Sequence, residues 1–101
     1  MNELEFKFWL TNNGYKPKVA CDTISRLKRI EREFKNCDID EQYCKDRCAY
    51  LLSMFSNMGK NKAMEKQLQV SFPIGKYYMS TYRYAIKLYV TFCNEFNSNK
   101  Q

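Results

Sequence analysis

The chain contains no histidine, only three glycines and two prolines, and no apolar run longer than a few residues. Each shortage removes a class of function. Without histidine there is no imidazole general base, no Ser-His-Asp or Cys-His pair, and no histidine metal ligand. The three glycines, Gly14, Gly59 and Gly75, stand alone, so no glycine-rich loop can cradle a nucleotide phosphate. Runs as short as Ala49-Tyr50-Leu51-Leu52 cannot span a bilayer, and the first residues carry no basic, apolar and small-residue series of a secretory leader. A cytoplasmic, membrane-free protein is expected. Five cysteines, an odd number in such a setting, do not make a disulfide framework.

What is abundant is aromatic and basic. Eight Tyr, seven Phe and one Trp lie within 101 residues, and apolar residues make up 45% of the chain. That composition supports one folded domain with a single core and argues against disorder. Lys and Arg exceed Asp and Glu by six. The excess is uneven: residues 14–35 carry seven basic and three acidic side chains, residues 36–58 carry two and four, and residues 59–76 carry four and one. Two basic segments flanking an acidic one fit either a polyanion-facing side or ordinary solubility charge.

Periodicity divides the chain into four helices. Residues 3–13 place Phe6, Trp9, Leu10 and Asn13 on one side, with Asn2 as a candidate N-cap and Gly14 as a left-handed terminator. Pro17 opens a second helix over 17–35, where Ala20, Thr23, Ile24, Leu27, Ile30 and Phe34 recur at spacings of three and four. Asp38 followed by Glu41 resembles a capping box for a third helix over 39–57, presenting Cys44, Cys48, Leu51, Leu52 and Phe55. A last helix over 79–96 buries Tyr82, Ala85, Ile86, Tyr89, Phe92, Cys93 and Phe96, and residues 97–101 form a frayed polar tail. Between the last two helices runs a long basic connection, residues 59–77, in which Pro73 and Gly75 mark a turn. The expected fold is therefore all-α, a compact four-helix bundle.

Cys44 and Cys48, four residues apart, share a helical face, but with no histidine and no C-x-x-C pair they are read as buried thiols rather than metal ligands. Acidic residues at Asp38, Asp40 and Glu41 sit where a helix N-terminus favours negative charge. No metal, cofactor or catalytic group is expected, and the chain is read as a binding protein rather than an enzyme.

The second and last helices carry a resemblance. "NNGYKPKVACDTISRLKRI" resembles the opening of the SAM-like core-binding domain of tyrosine recombinases (the phage integrase family), with Gly14, Pro17 and Ile24 to Ile30 at the matching places. "YAIKLYVTFC" is similar to that domain's last helix through Ala85, Ile86, Lys87, Tyr89, Val90, Phe92 and Cys93, and "FKFWLTNNG" fits its first. The chain departs from the family pattern at Lys16, where a capping Ser or Thr is usual, at Val19, and in the length of the 60–76 connection. The resemblance implies half of a clamp on duplex DNA. The family's catalytic half is absent, so the chain would be an excised domain or a stand-alone relative from a phage or mobile element, with a separate or fused catalytic domain as partner.

Two function classes follow. In the first, a basic face binds double-stranded DNA, mainly through phosphates, using Lys16, Lys18, Arg26 and Arg29 of the second helix, Lys60, Lys62 and Lys66 of the connection, and Lys76, Arg83 and Lys87 at the last helix and its approach. In the second, Tyr77, Tyr78, Tyr82 and Tyr84 form a surface that inhibits or recruits a host nucleic-acid enzyme. For each cation the alternative is a solvated charge, and for the tyrosines it is core or rim packing.

Overall fold

Glu3–Asn12 forms helix α1, with Phe6 and Leu10 turned inward. The computed structural model describes residues 1–34, 37–66, 72 and 74–98. Within them the chain is all-α: α2 spans Pro17–Glu33, α3 Ile39–Asp46, α4 Ala49–Met54, α5 Lys62–Glu65 and α6 Ser80–Ser98, with 3-10 turns at Ser56–Gly59 and Tyr77–Met79. No described helix is long and apolar enough to cross a membrane.

Gly14 ends α1 as expected, at φ +90°, and the amides of Gly14 and Tyr15 reach back to the carbonyls of Thr11 and Leu10. That is a Schellman closure, in which a left-handed residue satisfies the last helical carbonyls. Asn2 does not cap α1 through its side chain. Its backbone N–H instead donates to the Tyr89 hydroxyl at 2.8 Å. Asp38 does cap α3, accepting from the Asp40 amide, while the partner that reaches back from outside is Glu31, whose carboxylate accepts from the Ile39 N–H at 3.1 Å.

The expected third helix over 39–57 is broken twice. Arg47 and Cys48 both adopt left-handed backbone, and Asn57 and Met58 do so again. Periodicity continues across the first break because Cys48, Leu51 and Phe55 all reach the core, but the chain bends so that Cys48 is buried and Cys44 is exposed. Asp46 makes the bend feasible: its two carboxylate oxygens accept from the amides of Ala49 and Tyr50, the otherwise unpaired first donors of α4. Asn61 repairs the second break, accepting from the Met64 amide and donating to the carbonyls of Met54 and Ser56. The reading of Cys44 and Cys48 as buried thiols therefore holds for Cys48 but not for Cys44, which is exposed; Cys93 is buried, Cys21 exposed and Cys37 half-buried.

Two aromatic groups fill the interior. Phe6, Trp9, Tyr89, Phe92 and Phe96 pack between α1 and α6, with the Phe6 and Tyr89 rings edge to face at 4.9 Å. Phe34, Phe55, Phe72 and Tyr82 form the second, with Phe72 within 5.2–5.4 Å of the other three ring centres. Phe72 thus anchors the long connection to the core. That connection also contains the one-turn helix α5, and Met64 of α5 is buried. At the other end of the chain α6 continues to Ser98, and residues 99–101 of the expected tail lie outside the described residues, as do 35, 36, 67–71 and 73.

Tyr89 is fully buried, and its hydroxyl donates to Asp40 while accepting from the Asn2 amide. Burial first, and then the bond to Asp40, hold its phenol above the ordinary value of 10. Asp40 also pairs with the Met1 ammonium at 2.9 Å. Burial alone would lower the ammonium pKa; the hydrogen bond to Asp40 and the charges of Asp40, Glu31 and Asp38 outweigh it and raise the group above 8.0. A cation whose folded pKa is raised stabilises the fold fully below its unfolded value and loses that contribution as pH rises through the folded one. Burial likewise pushes the thiols of Cys37 and Cys93 up to about 11 and that of Cys48 up to about 12, so the unfolded chain releases their protons first. Both effects have the same sign. Unfolding free energy measured by urea titration should fall from pH 8 upward, and Asp40→Asn should flatten the fall between pH 8 and 9 while leaving the steeper thiol-driven loss above pH 9.

Candidate nucleic-acid interface

Helices α2 and α6 pack side by side through Ala20, Thr23, Leu27 and Ile30 on one and Tyr82, Ala85, Ile86 and Tyr89 on the other, all buried. Above this seam the two backbones leave a groove of about 450 Å³. Val19, Thr23 and Arg26 line one wall; Ser80, Thr81, Arg83, Tyr84 and Lys87 line the other. The spacing explains the grouping. Val19, Thr23 and Arg26 stand four and three apart on α2, as do Ser80, Tyr84 and Lys87 on α6, so each set occupies one helical face beside the buried stripe.

Three of the ten predicted DNA-binding cations converge here: Arg26, half-buried, and Arg83 and Lys87, exposed. No acidic residue lines the groove, and none of the three is in an ion pair among the described residues. The hydroxyls are partly committed already: Thr23 donates to the Val19 carbonyl at 2.8 Å and Thr81 to the Tyr78 carbonyl at 2.6 Å. The unmixed positive charge is the distinguishing property. A larger hollow of about 790 Å³ lies between the ends of α3 and α6, lined by Tyr43, Cys44, Lys45, Asp46, Arg47, Asn94 and Asn97. It is of mixed charge, with the Asp46 carboxylate between Lys45 and Arg47, so it offers less to a polyanion.

The other predicted cations are placed elsewhere. Lys16 is the N-cap residue of α2 and Lys18 lies in its first turn, both exposed. Lys62 and Lys66 are exposed on and just after α5, four apart. Lys60 lays its stem across Gly75, with so little room that a Cβ there would lie 2.9 Å from Lys60 Cε, which brings Lys60 beside exposed Lys76. None of these six lines the groove.

Arg29 is the exception among the cations. Its guanidinium lies 5.3 Å from the Phe72 ring centre and 5.6 Å from that of Tyr82, and it donates to the Tyr82 hydroxyl at 2.6 Å. Instead of facing outward as a DNA contact it clamps the second aromatic group. Lys28 pairs with Glu3 at 3.0 Å, which ties α2 to α1.

Of the tyrosines proposed as a protein-binding surface, Tyr82 is corrected outright. It is 6% exposed, stacked on Phe55 and held by Arg29. Tyr78 and Tyr84 are exposed, and the side chain of Tyr77 lies outside the described residues. Tyr84 belongs to the basic groove rather than to a separate tyrosine face, and its hydroxyl meets that of Tyr15 at 3.0 Å. That bond raises the Tyr15 phenol above its ordinary value of 10. Sequence reasoning missed Val19 and Thr81 as groove residues, although Val19 sits seven residues before Arg26, two turns along the same face.

Among the described residues no group of three or more Cys, Asp or Glu side chains is arranged to hold a metal ion. Compared with known proteins, the chain matches no family profile, no curated protein and no solved structure.

The two arginines of α2 should separate by substitution. Arg29→Ala removes a charged hydrogen bond and two ring contacts and should lower unfolding free energy by about 1–2 kcal/mol. Arg26→Ala removes only a groove charge and should change it by less than about 0.5 kcal/mol. Urea melts followed by circular dichroism measure both.

Proposed function

We propose that this protein is a non-catalytic duplex DNA-binding module, of recombinase core-binding type, that grips the phosphate backbone with the groove between α2 and α6. The observation that carries the proposal is the convergence of Arg26, Arg83 and Lys87 on an acid-free groove. Cations grouped without carboxylates between them are suited to displacing the counterions of a nucleic acid, the main source of sequence-independent affinity. Lys16 and Lys18 extend the positive charge along α2, and Lys60 with Lys76 supplies a second contact region. The two helices that line the groove are among those whose sequences resemble the recombinase domain, which is why that type is favoured. A catalytic domain, fused or separate, would supply any chemistry on the bound DNA.

Recruitment or inhibition of a host enzyme is the weaker reading. It loses Tyr82 to the core, and Tyr84 to the groove that it shares with Arg26, Arg83 and Lys87.

Binding to a non-specific duplex, measured by fluorescence anisotropy across a salt series, should give a log K against log salt slope of about −3 or steeper, roughly −0.9 for each neutralised phosphate. Arg26→Ala combined with Lys87→Ala should make that slope shallower by about 2 and weaken binding roughly tenfold, with an unchanged melting temperature. No binding at low salt, or a slope indifferent to the double substitution, would sink the proposal.

A further inference from the structure

Tyr84 is unusual among the groove residues. A surface tyrosine ordinarily lays its ring on the protein and leaves its hydroxyl to water. Here the hydroxyl is tied to that of Tyr15 at 3.0 Å, yet the residue remains 54% exposed. Tyr15 is itself fixed, because its amide closes the Schellman turn after α1 and its side chain packs on the core. The result is an aromatic ring presented to solvent with its orientation set in advance. Arg83 and Lys87 flank it on α6, and across the groove stand Arg26 and Val19, the latter 42% exposed.

A duplex held only by its phosphates would engage the three cations and leave the Tyr84 ring and Val19 uncovered. Resting on the duplex-binding reading above, we infer that the groove takes an unpaired nucleotide at the end of a DNA duplex, its phosphate on Arg26 and Lys87 and its base stacked on Tyr84. An unpaired base offers a flat π face that a paired base keeps inside the helix, and an exposed aromatic beside cations is the recurrent way of binding single strands without sequence preference. The groove volume, about 450 Å³, lies in the range of sites that take one small ligand.

Three duplexes of one sequence test this by anisotropy at low salt: blunt, with a four-thymine tail, and with an abasic tail of the same length and charge. The thymine tail should bind about five- to tenfold more tightly than the abasic tail, the effect of stacking one base. Tyr84→Ala should erase that difference, whereas Tyr84→Phe, which keeps the ring, should retain most of it. Thermal melts of both variants establish that they fold. Equal affinity for thymine and abasic tails, or a preference that survives Tyr84→Ala, overturns the inference while leaving duplex binding in place. Failure to bind any of the three overturns both.

Discussion

The Tyr89 hydroxyl joins three distant parts of the chain at a single atom. It lies in the middle of α6, fully buried, and bonds to the Asn2 amide at the start of α1 and to the Asp40 carboxylate in the first turn of α3. Asp40 in turn receives the Met1 ammonium, and Glu31 of α2 faces the same ammonium while capping α3. Four helices therefore meet around one phenol. A buried hydroxyl left without partners would oppose folding, so its two bonds add to the apolar packing in fixing the register of α1 and α3 against α6.

From that fixed frame the basic groove follows. With α6 held by Tyr89 on its buried side, the opposite side must carry Arg83, Tyr84 and Lys87 outward, and α2, packed along Leu27 and Ile30, must bring Arg26 alongside. Core and candidate interface are two faces of the same pair of helices. The cations that do not share this origin, on α5 and around Gly75, lie on the long connection, which Phe72 seats on the second aromatic group and Met64 anchors in the core.

The long helices were legible because their apolar spacing repeats over several turns. The inward residues of α2 and α6 read from the sequence are buried, with Phe96 packed at the margin, although Leu88, also buried on α6, was not among them. The breaks after Asp46 and Phe55 were not legible. Arg47, Cys48, Asn57 and Met58 adopt backbone that glycine ordinarily supplies, and nothing in a periodicity count distinguishes a bend that preserves the inward phase from a helix that continues. For the candidate site, the sequence pointed to Arg26, Arg83 and Lys87 but could not distinguish Arg29 from Arg26. Both are arginines on the flank of an apolar stripe, and only the presence of Phe72 and Tyr82 beneath one of them assigns it to the interior. Tyr82 and Tyr84, two residues apart, were separable: the spacing placed Tyr82 on the inward stripe of α6 and left Tyr84 off it, as their burial and exposure show.

The bend after Asp46 bears on how this sequence can drift over evolutionary time. An exposed aspartate between a lysine and an arginine looks like the most replaceable kind of surface residue. Yet its carboxylate satisfies the two amides that the left-handed turn at Arg47 and Cys48 leaves open. Asn61 has the same standing at the next break. Divergent descendants of this chain should vary freely at Lys45, whose side chain has no such duty, and keep a short hydrogen-bond acceptor at 46 and an amide at 61. A lineage that lost either would be expected to gain a glycine in the adjoining turn.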